Sequence, residues 1–390
     1  MKQKHEMTVE QVTEQLAESV KEFFDSKKCR LYLDTMAKFT NYSANNCLLI
    51  GAQSPDATLV AGYRAWETNF HRRVKKGEKG IRILAPAPKK KWVTQECRDE
   101  AGHKIFNADG SVQTEQVQVV IPAYRAISVY DISQTEGEPL PSLVHRLEGA
   151  VDKDLIEASR RVIPVPIRYE AMTSEMNGYY HFSDKYIAVR NDIAPKQQLK
   201  TILHEWAHCR LHDPDTGSER EEMPDQRKRE VEAESIAYVV CQKLGIDTSD
   251  YSFGYIAGWS EGKDCRELQA SLQLIQTNAR AMIREIEQEL ERMQIDRSDR
   301  IGYALPDGRY MIVEREEERF RFQLMDARMQ VLDAGIVVTG SDGIQTAADQ
   351  AMLACGEEPQ AARILGLDQL DRLLQKEEDI HCEKAMGLNM

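Results

Sequence analysis

The chain has 390 residues, with 51 Lys and Arg against 64 Asp and Glu for a formal net charge of −13, and 42% of it is hydrophobic. That apolar share supports real cores and two or three domains, which excludes a disordered polyanion, and no apolar run approaches the roughly 18 residues of a membrane helix. The first 24 residues are too charged for a secretory signal, so a cytoplasmic location is expected, with the eight cysteines, none in a C-x-x-C pair, reading as reduced thiols.

Charge divides the chain. Up to Asp131 there are 20 basic against 16 acidic residues, net +4, and the remainder holds 31 against 48, net −17. The surplus concentrates at residues 60–91, where ten Lys and Arg meet two acids, Glu67 and Glu78. The two parts carry different fields and suit different partners.

The chain opens with an amphipathic helix expected over residues 8–28, with Thr8 and Gln11 as a capping box and Val9, Val12, Leu16, Val20 and Phe23 as its stripe. A second helix is expected over 31–39, followed by the polar and aromatic run Phe39-Thr40-Asn41-Tyr42-Ser43-Ala44-Asn45-Asn46. The Lys75-Lys76-Gly77-Glu78-Lys79-Gly80 turn leads into a strand at 81–84, with further strands at 117–121 and 124–130, giving a small α+β domain. Cationic residues interleaved with Tyr42, Tyr63, Trp66 and Phe70 suit single-stranded nucleic acid, with lysines on phosphates and rings on bases. Trp66 and Phe70, four apart, read equally well as ordinary core.

Gly137, Pro139 and Pro141 mark a linker at 133–142. Beyond it, 152–161 is expected to be helical, and 177–189 alternates as a hairpin whose edge can pair with an extended peptide, although Tyr179, Tyr180 and His181 read first as strand formers.

Next comes His204-Glu205-Trp206-Ala207-His208, an H-E-x-x-H pattern. Pro195 suits a first helical turn, and Leu199, Ile202, Leu203, Trp206 and Leu211 form a buried stripe, so the motif lies on a half-buried helix. Histidines four apart present both imidazoles to one point, as a zinc site requires, and Glu205 is placed as a general base beside the ion. Cys209 faces away, and His212 reads as a helix-end histidine. A third ligand is needed, and the helix expected at 226–244 offers Glu230, Glu232 and Glu234. Glu230 and Glu234 share a face while Glu232 points to the other side, so one of the pair can bind metal and the other can accept the free N–H of a ligand histidine. The acid-rich loop 212–226 lies between.

A heptad-like stripe over 266–293 gives a long helix that reads first as packing on the preceding domain at its start and projecting toward the next at its end, with a spacer or dimer seam as alternatives. From 301 onward a turn at Asp307-Gly308, alternating strands to Val338 and helices at 345–355 and 360–375 make a small α+β module without evident chemistry.

Two stretches resemble known families. I-L-H-E-W-A-H-x-x-L-H followed by R-E-x-E-A-E-S-I-A is similar to ImmA/IrrE-type and ArdC-type zincin-like metallopeptidases. By position that resemblance implies His204, His208 and Glu230 as ligands of Zn²⁺ or another divalent metal, Glu205 as the catalytic base and Glu234 as partner or alternative ligand. F-x-x-Y-S-x-N-N-x-L-L-I, T-x-V-A-G-Y-x-x-W, V-K-K-G-E-K-G-I-x-I-L-x-P and V-Y-D-I-S-Q-T-E-G, from Phe39 to Gly137, resemble the N-terminal domain of ArdC-type antirestriction proteins. The resemblance implies a multidomain α+β protein of a conjugating mobile element: a single-stranded-DNA-binding domain at 1–137, a zincin-like metallopeptidase domain at 143–298 and an accessory module at 300–390. It implies antirestriction, with Tyr42, Asn45, Trp66, Arg72, Lys75 and Lys76 near the DNA and a protein or peptide substrate at the metal. The alternative is a zinc-dependent protease of a regulatory partner that uses DNA binding only for recruitment.

Overall fold

The structure is a computed structural model that describes residues 7–23, 26–99, 102–140, 153–173, 176–215, 224–249, 264–296, 299–316, 319–338, 343–365, 369–370 and 372–373. Residues 216–223 of the acid-rich loop, 141–142 of the linker and most of the segment beyond 365 lie outside these. Chain contacts divide it into two compact units, one of residues 1–152 with 163–284 and one of residues 153–162 with 285–390.

In the first unit, helix α1 (Val9–Phe23) starts where Thr8 and Gln11 exchange hydrogen bonds, the amide of Thr8 donating to Gln11 Oε1 at 2.9 Å and that of Gln11 to Thr8 Oγ1 at 3.4 Å. The expected single helix to residue 28 instead ends at Phe23, and α2 (Ser26–Lys38) takes up the following residues. Helix α3 (Ala44–Gln53) is capped by Ser43. A three-stranded sheet holds β1 (Val60–Gly62), β6 (Tyr124–Asp131) and β3 (Ile81–Pro86) in that order. On its open edge two amides from α3 stand in for a fourth strand. Asn46 pairs with both backbone groups of Leu84 at 3.0 Å, and Gln53 accepts from the Arg82 amide at 2.9 Å and donates to its carbonyl at 2.8 Å. Edge groups that would otherwise be unpaired under a helix are thereby satisfied.

Helix α4 (Tyr63–Phe70) drives Trp66 into the core, where its indole N–H donates to the Tyr130 carbonyl at 2.9 Å. The short strands β2 (Arg72–Val74) and β7 (Thr135–Gly137) pair with each other. A Cβ on Gly137 would lie 2.6 Å from the His71 carbonyl, and its φ of +141° suits only glycine. The lysine-rich stretch after β3, for which no regular element was expected, is a strand, β4 (Lys89–Glu96), pairing with β5 (Thr114–Ile121).

The rest of this unit places the chemistry. A second three-stranded sheet has the order β8 (Ile167–Glu170), β10 (Tyr186–Arg190), β9 (Gly178–His181), with β8 parallel and β9 antiparallel to β10. The expected hairpin is present, and β9 is an edge. Against it lies α6 (Pro195–His212), which in turn packs on α7 (Gln226–Lys243). The far side of α7 packs on α2. Tyr238 donates to Asp34 Oδ1 at 2.7 Å, and Arg30 reaches the Thr248 carbonyl at 3.0 Å. Helix α8 (Cys265–Asp296) contributes Gln276, which donates to the carbonyls of Phe39 and Tyr42, both at 3.3 Å. The N-terminal helices are thus part of the scaffold of the metal-site helices. In the heptad-like stripe of α8, Leu268, Leu272, Ile275, Ala279, Met282 and Ile286 are buried and Leu290 is half-buried, so the stripe packs within the chain and does not offer a dimer seam.

The second unit contains α5 (Lys153–Val162) and a five-stranded antiparallel sheet of order β14 (Val331–Val337), β13 (Arg319–Met325), β12 (Tyr310–Glu316), β11 (Arg300–Ala304), β15 (Arg363–Ile364). Helix α9 (Ile344–Ala354) covers it through Ile344, Ala347, Ala348, Ala351 and Met352. The helix expected over 360–375 is interrupted: Pro359–Ala361 is a 3-10 turn, Arg363–Ile364 is strand β15, paired to Tyr303 and Ala304, and residues 369–370 and 372–373 are helical.

Candidate metal centre

Helix α6 aims three imidazoles along one face at four-residue steps, at positions 204, 208 and 212. His204 Nε2 and His208 Nε2 lie 3.1 Å apart, and a Glu230 oxygen from α7 stands 3.5 Å from the first and 3.6 Å from the second. Tetrahedral ligands 2.0–2.1 Å from a zinc ion are themselves about 3.3 Å apart, so the three atoms already form one face of such a polyhedron. Two imidazole nitrogens facing each other across an acid are what a cation would reconcile. These are the only three His, Cys, Asp or Glu side chains that converge in this way among the described residues.

The local field asks for positive charge. Burial would lower the pKa of His204, but the carboxylates of Glu230 and Glu234, with the charge of Glu205, override it and raise it to about 10. Glu230 is held well below the usual carboxylate range by the hydrogen bonds of His204 and His208. Burial lowers His208, against the pull of Glu230. In Glu205 burial dominates and, with the negative charges of Glu230 and Glu234, raises the pKa to about 7 against the opposing effects of His204 and the Tyr180 amide. Glu234 Oε2 lies 3.0 Å from His204 Nδ1, close enough for an ion pair although not aligned as a hydrogen bond.

Behind His208 runs a relay that sequence reasoning missed. His208 Nδ1 is 3.0 Å from His212 Nδ1, His212 Nε2 is 3.2 Å from Glu232 Oε2, and Glu232 Oε1 accepts from Ser271 at 3.0 Å. His212 and Glu232 are fully buried. With Nε2 of His208 free to ligate, Nδ1 carries the proton and donates to His212, whose own N–H then falls on Glu232, so every tautomer is fixed. Glu232 does point away from the Glu230 and Glu234 face, as expected, yet it points at the back of the ligand histidine. The signal was present in the third histidine, four residues after His208.

The centre opens into a cleft of about 460 Å³ lined by His204, Glu205, His208, Glu230, Arg229 and the edge strand β9. Gly178 at the start of β9 is required by closeness, since a Cβ there would lie 2.4 Å from Thr201 and 2.7 Å from the Ala188 carbonyl. Asn177 and His181 direct their carbonyls to β10, so Gly178 and Tyr180 turn theirs outward, and the Tyr180 amide bonds Glu205. Tyr180 itself is buried, and its hydroxyl donates to Asp213, which also holds Lys185. Tyr179 reaches Glu170 and Tyr186, each at 3.2 Å.

The residues expected near DNA are placed differently. Trp66 is fully buried and cannot stack on a base, which corrects that expectation. The guanidinium of Arg72 is engaged by the Thr135 hydroxyl and carbonyl and by the carbonyls of Gly137 and Glu138, and its task is to close the β2–β7 pair. Tyr42 donates to the Val60 carbonyl at 3.0 Å, and Asn45 is half-buried beside the structural Asn46. Lys75 donates to the Ser133 carbonyl at 2.8 Å, whereas Lys76 is exposed.

Two family models match the chain, the N-terminal domain of anti-restriction factor ArdC over residues 2–130 and the IrrE N-terminal-like domain over residues 160–242. An uncharacterised protein of Bacillus anthracis is 26% identical over 330 residues, covering 74% of this chain, and the chain spans only about half of that relative's length, 54%. Among solved structures, the antirestriction ArdC protein of the R388 plasmid is similar in two forms. The metal-free form has a TM-score of 0.39 and 23% identity over 64% of this chain and 85% of its own. The Mn(II)-bound form has a TM-score of 0.43 and 18% identity over 70% of this chain and 97% of its own. No described helix is long and apolar enough to cross a membrane.

Proposed function

We propose that this chain, which has the ArdC-type architecture of an ArdC N-terminal domain followed by an IrrE-like peptidase domain, is an antirestriction-type protein that binds single-stranded DNA and carries a zinc-dependent metallopeptidase site. The observation that carries the second half of this reading is the convergence of His204, His208 and Glu230 beside buried Glu205 in a cleft walled by an edge strand. A divalent ion held by those three side chains supplies Lewis acidity toward a water and a substrate carbonyl. Glu205 is the group placed to take the proton of the attacking water and to return it to the leaving amine. An extended peptide laid along β9 finds the outward backbone groups of Gly178 and the Tyr180 carbonyl, while the Tyr180 amide keeps Glu205 against that track. Glu234 beside His204, and His212 with Glu232 behind His208, hold the two imidazoles in their ligating orientation.

Metal analysis beside an oligonucleotide titration tests both halves. Stoichiometric zinc or another divalent metal is expected in the purified chain and is lost in His204→Ala. Glu205→Gln keeps the metal and loses any hydrolysis of a peptide library. Equal metal content in the parent and His204→Ala would end the metal-centre reading. Affinity for single strands is expected to fall steeply with salt, and an affinity indifferent to salt would end the DNA reading.

A further inference from the structure

Strands β4 and β5 pair only with each other, from Lys89 opposite Ile121 to Glu96 opposite Thr114. Side chains alternate along them, and the Gln116 amide donating to Thr94 Oγ1 at 2.8 Å identifies one face. That face presents Lys90, Trp92 and Thr94 opposite Val120, Gln118 and Gln116, and is exposed among the described residues. Trp92 is 62% exposed and Val120 is 59% exposed. Tyr124, where β6 begins, is 60% exposed. A lone two-stranded ribbon is marginal in water, and clustered exposed apolar groups on one mark an interaction surface.

Charge selects the partner. Residues 85–95 and 116–125 together hold Lys89, Lys90, Lys91 and Arg125 and no Asp or Glu. None of these four forms an ion pair among the described residues, whereas toward the ribbon's tip Glu96 neutralises Lys104 at 2.9 Å and Arg98 at 3.5 Å. In the basic turn of β2, by contrast, Arg73 is paired with Glu136 at 3.0 Å, and Arg72 and Lys75 are tied to backbone carbonyls. Lys90 shares the face of Trp92, while Lys89 and Lys91 project from the other side of the same strand. A ribbon end with four cations and no acid repels a second copy of itself but suits phosphates passing around it, and the exposed rings suit bases that are not already stacked in a duplex.

The geometry points to the acid-free half of this ribbon, Lys89, Lys90, Lys91 and Trp92 with Tyr124 and Arg125, as the surface that takes single-stranded nucleic acid. Lysines track the backbone, and Trp92 and Tyr124 are stacking platforms. This rests on the DNA-binding part of the function proposed above and deepens it by naming the surface.

The experiment uses the full chain and a labelled oligo-dT, read by anisotropy over a series of KCl concentrations. Replacing the three lysines by Ala is expected to weaken binding and to flatten the slope of log K against log salt by about 2, three phosphate contacts on a single strand. Trp92→Ala is expected to weaken binding on the order of tenfold with the slope kept, and Trp92→Phe to restore most of it. Trp66 and Trp206 are fully buried, so quenching of indole emission on titration should be smaller in Trp92→Phe than in the parent, the difference reporting a base on Trp92. All three variants should melt with the parent, since the substituted side chains are exposed. If the parent binds oligo-dT and the variants match its affinity and slope, the ribbon is not the surface and the DNA reading stands. If the parent binds no single strand, both fall. If the lysine variant turns a dimer into a monomer with oligonucleotide affinity unchanged, the ribbon's occupant is a second copy and the inference is overturned.

Discussion

Glu232→Gln isolates what the buried relay does for the metal. The carboxylate is fully buried, 3.2 Å from His212 Nε2, and takes a hydrogen bond from Ser271 at 3.0 Å. Gln keeps the shape and an acceptor for His212, and the Ser271 hydroxyl can turn to accept from the new amide, so pairing survives and only the charge is removed. Exchanging charged for neutral hydrogen bonds changes stability by about 1 kcal/mol. The larger effect falls on the metal, because the carboxylate polarises His212, which fixes the His208 tautomer. Loss of such an outer partner weakens metal binding about 10- to 100-fold, or about 1.4 to 2.7 kcal/mol. His212→Ala is harsher, because it empties a fully buried position and removes both the imidazole behind His208 and its hydrogen bond to Glu232, lowering folding stability as well. The assay is competition against a chromophoric chelator for metal affinity, beside thermal unfolding of the apo chain. Metal affinity within twofold of the parent in a normally folded Glu232→Gln chain would refute the relay.

Three further outcomes are expected. Trp66→Ala should cost about 3 to 5 kcal/mol in urea unfolding, because it empties a buried site and removes the indole hydrogen bond to the Tyr130 carbonyl, while any chain still folded binds oligo-dT as the parent does. Gly178→Ala should destabilise by about 1 to 3 kcal/mol, since the backbone carbonyl of Ala188 at 2.7 Å cannot yield as a side-chain tip would, and it should lower hydrolysis more than metal content. Asp131 accepts the amides of Thr58, Leu59 and Ser133; burial would raise its pKa, but these hydrogen bonds outweigh it and hold the carboxyl below its ordinary value. Its contribution is therefore present above the unfolded value near about 4 and is lost as pH falls through the lower folded pKa. The stability gap between parent and Asp131→Asn should accordingly be wide at pH 7 and narrow toward pH 3 in urea midpoints.

Much of the centre was legible because helical periodicity is a local rule. A four-residue step puts His204 and His208 on one face in any helix, and Glu230 with Glu234 share a face for the same reason. What periodicity does not supply is which way that face turns. Glu232 was set aside as pointing elsewhere, and only the packing of α7 on α6 shows that elsewhere is His212, the imidazole behind His208. The motif that holds Tyr42 and Asn45 is hard to read for a related reason. Tyr42, Ser43 and Asn46 form a dense pattern, and in the fold they serve a carbonyl, a helix cap and an edge strand. A polar motif of that density reads the same from sequence whether its partners are bases or backbone.

By itself the sequence determined the H-E-x-x-H spacing that sets two imidazoles on one helix face with Glu205 beside them, the mixed α and β content and the cationic bias before Asp131, since each depends on composition or on neighbours a few residues apart. Only the tertiary structure decided which carboxylate meets the histidines, that the N-terminal helices buttress α7, that Trp66 is core while Trp92 stands in solvent, and that Lys89, Lys90 and Lys91 lie on an exposed ribbon. Those facts depend on which distant segments share a surface, because burial and pairing are properties of assembled neighbours and not of the residues that meet.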